Sequence, residues 1–181
     1  MKKLVFFTSL LLTLIVVMGS CSKDDSPASG NETALLQVVF NGVNVDALTS
    51  VTRPEQTKQL VDVLTPTNKD KVKYVKSGEI SNSDSYITIQ GLKAGESLNN
   101  LTINLMNGQN KAASLDLGKI NGKEDGSLIK DDFNNTTNFL KTVVGDLATK
   151  KSITLQVVLT GGSVDVKNLT ITVHSSARYS W

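Results

Sequence analysis

Apolar and polar residues alternate over short runs through most of the chain after residue 33. Alternation with a period of two, in runs rich in Val, Ile and Thr, is typical of strands that bury one face. Such runs span 34–40, 43–46, 72–75, 86–90, 101–106 and 112–117, and a closing pair of strands spans 153–160 and 164–174. Asn41-Gly42 predicts a tight hairpin after the first run, and Gly161-Gly162 predicts the turn of the closing pair.

Two segments show helical spacing instead. Segment 136–150 carries one continuous apolar stripe and ends in lysines, as the helix dipole favours. The stripe consists of Phe139, Leu140, Val143, Val144, Leu147 and Ala148. A weaker pattern over 54–64 predicts a short helix, although its Val-rich end equally suits a strand.

The strand-rich region contains a faint internal repeat. Residues 87–90 (Ile-Thr-Ile-Gln) match 153–156 (Ile-Thr-Leu-Gln), and 100–103 match 168–171, both Asn-Leu-Thr-Ile. Each pair of matched runs follows a helix-like segment. Two related helix-plus-strands units are one interpretation, and the general likeness of strand sequences is the other.

Number and spacing of the strands predict one domain over 34–181. We expect a mainly β fold, an immunoglobulin-like antiparallel β-sandwich with one or two short helices. About 150 residues is the usual length of one domain and enough to bury a core.

An export signal occupies the start of the sequence. Lys2 and Lys3 precede an apolar run over 4–18, which is shorter than the roughly 20 residues of a bilayer-spanning helix. Small residues then precede Cys21, the only cysteine, so no internal disulfide can form.

Met18-Gly19-Ser20-Cys21 resembles the lipobox of bacterial lipoproteins. The resemblance implies that residues 1–20 are a signal peptide and that Cys21 becomes a multiply acylated first residue. Several acyl chains give a stable membrane attachment where one chain gives only a reversible one. Residues 21–33 are then the lipidated cysteine and a flexible tether.

Ser22-Lys23-Asp24-Asp25 is similar to the short acidic export tag that surface lipoproteins of Bacteroidetes carry after the lipidated cysteine. This resemblance implies that Lys23, Asp24 and Asp25 direct the protein to the outer face of the outer membrane. The alternative is a solvated linker in which two aspartates occur by chance.

Charge limits the partners. The formal net charge of +2 falls to 0 without residues 1–20, because Lys2 and Lys3 are the charged residues of that segment. A neutral domain predicts no nucleic-acid partner and no basic patch for anionic lipids.

Catalytic residue types are scarce. His174 is the only histidine, and its place at the end of an apolar strand favours a structural role. Because Cys21 is assigned to the lipid anchor, His174 has no Cys or His partner, and neither a nucleophilic triad nor a zinc site is expected. Capping of the following helix explains Asp131-Asp132. The sequence therefore predicts no enzyme and no cofactor.

Loop 121–132 resembles the frame of an EF-type calcium loop. Asn121, Asp125 and Asp132 fall at positions 1, 5 and 12, with Gly126 at position 6. Lys123 occupies position 3, where an oxygen ligand is required, so a plain turn is the stronger interpretation.

Aromatic residues supply the remaining candidate site. Tyr179 and Trp181 alternate with Ser180 and should point to the same side of an extended segment, beside Arg178. They either bind a ligand or cover the open edge of the sandwich. The expected function is a lipid-anchored cell-surface module that binds a protein or mediates adhesion. The alternative is an accessory glycan-binding lipoprotein of a polysaccharide-uptake system.

Overall fold

Two antiparallel sheets face each other in the computed structural model, which describes residues 27–124, 129–131 and 134–181. In chain order the strands are β1 (Asn31–Val45), β2 (Ser50–Thr52), β3 (Gln56–Gln59), β4 (Ser77–Gln90), β5 (Ser97–Asn107), β6 (Asn110–Asp116), β7 (Ile120–Asn121), β8 (Ile129–Asp131), β9 (Ser152–Gly161) and β10 (Val166–Ser180). Helix α1 (Asn134–Lys150) precedes β9, and 3-10 helical turns span Leu60–Asp62 and Pro66–Tyr74. The expected mainly β antiparallel sandwich is confirmed.

Sheet A has the strand order β1-β10-β4-β8, and sheet B has the order β2-β9-β5-β6. In addition, β3 pairs with β9 and β7 pairs with β5 in sheet B. The longest ladder joins β1 to β10 without interruption from Asn31↔Ser180 to Phe40↔Ile171. The centres of the sheets are therefore the antiparallel pairs β10·β4 and β9·β5.

Alternation along the strands builds the core. In β1 the side chains of Leu36, Val38 and Phe40 are buried, whereas Leu35 and Gln37 are exposed. Strands β9 and β10 show the same alternation, with every second residue buried over most of their length. Burial of these side chains, at about 1.5–3 kcal/mol each relative to exposure, is the main term that holds the sheets together.

Helix α1 closes one side of the sandwich. All six residues of its predicted stripe are buried, which confirms the helical pattern. Its backbone lies close to β4, because a Cβ on Gly78 would come within 2.7 Å of Val144 Cγ1 and 3.1 Å of the Val144 carbonyl oxygen. Glycine at position 78 therefore lets the helix pack directly on the strand.

The predicted hairpin at Asn41-Gly42 is wrong. Strand β1 continues to Val45 and remains paired with β10 along its whole length. The pairing has two register shifts, both after Phe40. Gly42 has φ of +61°, a conformation that glycine adopts without a steric cost. The Asn-Gly pair here forms a bulge, which bends a strand rather than reversing it.

The segment predicted as a helix over 54–64 forms β3 and a 3-10 turn. Pairing of Gln56–Gln59 with β9 satisfies backbone groups that a helix would have satisfied internally. Conversely, the strand predicted over 72–75 is the end of the second 3-10 turn. Val72 and Val75 both pack toward the core, as three-residue spacing on a 3-10 helix requires.

The closing strand pair forms, but its members lie in different sheets. β9 pairs with β5, and β10 pairs with β1 and β4, so the two strands are joined by an arch and not by a hairpin. The sequence repeat relates β4 to β9 and β5 to β10. The matched strands lie in opposite sheets, because β4 and β10 belong to sheet A and β5 and β9 belong to sheet B. This placement is compatible both with a duplicated unit and with a chance likeness of strand sequences.

Candidate functional site

A pocket of about 240 Å³ lies where the residues before β1 meet the end of β10. We call it the Trp181 pocket; it is lined by Pro27, Lys73, Tyr74, Val75, Lys76 and Trp181. It combines two aromatic rings with two exposed lysines. Sequence analysis identified Trp181 and left out the lysines, although segment 66–76 shows them as part of a run of four lysines and one aspartate.

Backbone hydrogen bonds hold the pocket walls together. The N–H groups of Gly30 and Trp181 each donate to the other residue's carbonyl, both at 3.0 Å, and the N–H of Lys76 donates to the Ser180 carbonyl at 2.8 Å. The indole of Trp181 lies on Gly30, where a Cβ would come within 2.8 Å of Trp181 Nε1. The Trp181 ring is therefore held in place on one side and half-exposed on the other.

Strand β1 begins at Asn31, three residues before the predicted domain boundary at residue 34. Gly30 is also bonded to Trp181 and Pro27 lines the pocket, so residues of the segment predicted as tether take part in the folded domain. The residues that separate Cys21 from the pocket are consequently few.

Segment 66–76 carries the positive charge of the pocket, through Lys73 and Lys76. The Lys73 ammonium lies 4.8 Å from the centre of the Tyr74 ring, within the range of a cation–π contact. Lys71 binds Asp70, and the hydrogen bond from this ammonium lowers the pKa of the Asp70 carboxyl. Although the mature chain has no formal net charge, Lys73 and Lys76 both line the Trp181 pocket.

Glu32 positions the start of this segment. Its two carboxylate oxygens accept hydrogen bonds from the Thr65 N–H (2.8 Å) and from Asn68 Nδ2 (2.9 Å). At the other end, Lys151 donates to the Val75 carbonyl, and partial burial lowers the pKa of Lys151. The segment is thus tied to β1 and to the end of α1.

Tyr179 does not belong to the surface of this site. Its side chain is fully buried, its hydroxyl has no hydrogen-bond partner among the described residues, and burial raises its pKa. Arg178 is exposed and pairs in register with Thr33 and Glu79 on neighbouring strands. Of the predicted ligand residues Tyr179, Trp181 and Arg178, the pocket contains Trp181 alone.

His174 lies on the outer face of sheet A. It stands in register between Gln37 of β1 and Tyr86 of β4, with the two ring centres 4.8 Å apart. Its Nε2 lies 3.4 Å from Thr88 Oγ1, and burial lowers its pKa. These contacts agree with the structural role expected for this histidine.

The outer edge of β1 is the second notable surface. β1 is the end strand of sheet A, and over the described residues it pairs with β10 alone. No charged residue occurs from Thr33 to Val45, and Leu35 on this strand is 55% exposed. Other edge strands are short or charged: β8 has only three residues, and β6 carries Lys111 and Asp116.

Several predicted site residues lie outside the described residues. These are Cys21, Lys23, Asp24 and Asp25 of the anchor and tag, and Asp125 and Asp132 of the calcium-type loop. Asn121 of that loop is exposed in β7. Within the described ranges no group of three or more His, Cys, Asp or Glu could hold a metal ion, and no helix there is long and apolar enough to cross a membrane.

No family model and no curated protein matches the chain. A solved structure from Desmodium yellow mottle tymovirus aligns with 86% of this chain and 91% of its own, at 10% sequence identity and a TM-score of 0.34. A likeness at that level carries no argument about function.

Proposed function

We propose that this protein is a lipid-anchored cell-surface module that binds a protein partner, as an adhesion or recognition domain, without catalysis. Cys21 carries the lipid anchor. Lys23, Asp24 and Asp25 form the export tag that directs the protein to the outer face of the outer membrane. The single observation that carries the binding role is the long outer edge of β1, which is uncharged from Thr33 to Val45.

An open strand edge presents unpaired backbone N–H and C=O groups. Native proteins usually protect such edges with charges, proline, bulges or short strands, because an open edge recruits other strands. In β1 the ten residues Asn31–Phe40 pair regularly with β10, and the bulges come only after Phe40. This regular stretch suits a partner that adds an extended segment to the sheet, with backbone hydrogen bonds for affinity.

Side chains of the outer face support the same role. Leu35 is exposed beside Gln37, and both project from the edge strand itself. An added strand would place its own side chains beside Leu35 and Gln37 on this face, as cross-strand neighbours. The edge strand carries no charged residue from Thr33 to Val45, which suits a protein partner that pairs through its backbone.

Site-specific photo-crosslinking on intact cells tests this role. A photoreactive residue at Leu35 or Gln37 should give a discrete protein adduct, and the same residue at Asn110 or Ala112 on β6 should not. All four positions are exposed, so the label leaves the core intact. The proposal fails if β1 gives no adduct, or if β6 gives the same adduct.

A charge test complements the crosslinking. Leu35→Lys together with Gln37→Lys should abolish the adduct formed at a third β1 position, because lysines on an edge oppose strand addition. Asn110→Lys with Ala112→Lys is the matched control, since β6 already carries Lys111 between these positions.

Glycan binding remains the second candidate function, as part of a polysaccharide-uptake system. The observation that favours it is the placement of Trp181 and Tyr74 in one pocket, since an aromatic ring can stack on the face of a sugar. Oligosaccharide titration monitored by Trp181 fluorescence tests it directly, because Trp181 is the only tryptophan. Saturable quenching that Tyr74→Ala removes would support the glycan function.

A further inference from the structure

We propose that the Trp181 pocket and its flanking lysines form the surface on which the domain lies against anionic lipid headgroups of its own membrane. This inference rests on the proposed lipid anchor at Cys21, and it assigns a second, non-covalent membrane contact to the folded domain.

The length of chain between anchor and pocket supports this placement. Six residue steps separate Cys21 from Pro27, which lines the pocket. A chain of that length spans at most about 20 Å even when it is fully extended. An acylated Cys21 lies at the membrane surface, so the pocket is confined to the region next to the headgroups.

The chemistry of the pocket fits an interfacial position. Tryptophan and tyrosine combine an apolar ring with a polar group, and both are enriched where hydrocarbon meets water. Lysine can lay its methylene stem along an apolar surface while its ammonium reaches toward phosphate. The Trp181 pocket combines these residue types, since it is lined by Trp181, Tyr74, Lys73 and Lys76.

Charge complementarity favours phosphate-bearing headgroups over a neutral glycan. Segment 66–76 contains four lysines and one aspartate in a mature chain with no formal net charge. Asp70 is already bound to Lys71, whereas Lys73 and Lys76 are exposed at the pocket. Two such lysines near an anionic surface strengthen membrane partitioning by roughly tenfold or more. A neutral sugar would accept hydrogen bonds from these lysines but would gain no attraction between opposite charges.

Fluorescence of Trp181 reports on this contact without a label. The unlipidated mature chain carrying Cys21→Ala is mixed with vesicles of phosphatidylcholine and phosphatidylglycerol in equal parts, or of phosphatidylcholine alone. We expect a blue shift of Trp181 emission with the anionic vesicles only. We also expect high salt to suppress the shift, because it screens exposed charges.

Two double variants distinguish binding at the Trp181 pocket from a general attraction of surface lysines to anionic vesicles. Lys73→Gln with Lys76→Gln should weaken partitioning roughly tenfold or more. Lys111→Gln with Lys119→Gln makes the same charge change at two other exposed lysines and should leave partitioning nearly unchanged. All four side chains are on the surface, so the folded domain is retained in both variants.

Several results would overturn the proposal. These are an unchanged emission with anionic vesicles, an equal shift with neutral vesicles, and an equal loss of vesicle partitioning in both double variants. A shift caused by an oligosaccharide and by no vesicle would assign the pocket to a glycan. Because this assay uses no lipid anchor, its failure is distinct from a failure of the anchor.

Discussion

Replacing Tyr179 with phenylalanine should stabilise the protein. The side chain is fully buried on the inner face of β10, between Glu32 of β1 and Gly78 of β4 in the register of sheet A. Its hydroxyl has no hydrogen-bond partner among the described residues. An unsatisfied buried polar group costs about 1–3 kcal/mol. Tyr179→Phe removes this group and keeps the ring, so we expect a gain of about 1 kcal/mol at neutral pH.

The advantage of Tyr179→Phe should grow at alkaline pH. Burial raises the pKa of Tyr179 in the folded protein, whereas the unfolded chain ionises with a pKa of about 10. Above that value the unfolded state loses a proton that the folded state keeps, so the stability of the parent falls as pH rises. Near pH 11 the unfolded-state ionisation adds about 1.4 kcal/mol to the difference between the two proteins.

Urea denaturation followed by Trp181 fluorescence at pH 7 and pH 11 measures both effects. Tyr86→Phe is the control, because Tyr86 lies half-buried on the outer face of sheet A beside His174; this change should not stabilise the protein at pH 7. Equal midpoints for the parent and Tyr179→Phe, with no added difference at pH 11, would refute the reasoning. The hydroxyl would then have a partner.

Three other predictions concern the fold and the export tag. Leu140→Ala should cost about 2–5 kcal/mol in a denaturant melt, and Lys141→Ala about 0.5 kcal/mol or less, because only the first side chain is buried; equal midpoints would contradict the packing of α1. Gly78→Ala should cost about 1–3 kcal/mol through overpacking against Val144, and a neutral melt would show that α1 can move away. Alanine at all of residues 23–25 should protect the protein from protease added to intact cells, and unchanged digestion would make the segment a plain linker.

Local pattern predicted most elements of this fold but not their partners. The stripe of α1 and the alternation in β9 and β10 identified those elements, because a single buried face imposes its period on the sequence. Assignment of β9 and β10 to different sheets depends on contacts with β5 and β4, which are distant in sequence. The sequence Asn41-Gly42 is compatible with both a hairpin and a bulge, and pairing with β10 decides for the bulge.

Tertiary context also decided the candidate site. Alternation correctly separated Tyr179 and Trp181 from Arg178, but burial of Tyr179 follows from β1 and β4 on both sides. The pocket depends on the approach of the Pro66–Tyr74 segment to Trp181. The sequence over 72–75 predicted a strand because it is rich in β-branched residues. In the structure it ends a 3-10 helix, where residues three apart lie on the same side, so Val72 and Val75 both pack toward the core.

The most direct test of the central claim is the location and acylation of the protein in cells that carry the parent or Cys21→Ala. After growth with a labelled fatty acid, we expect the parent to carry the label, to sediment with the outer membrane and to be digested by protease added to intact cells. Cys21→Ala should carry no label and should leave the membrane fraction. An unlabelled parent, or a Cys21→Ala variant that stays in the membrane to the same extent, would contradict the account.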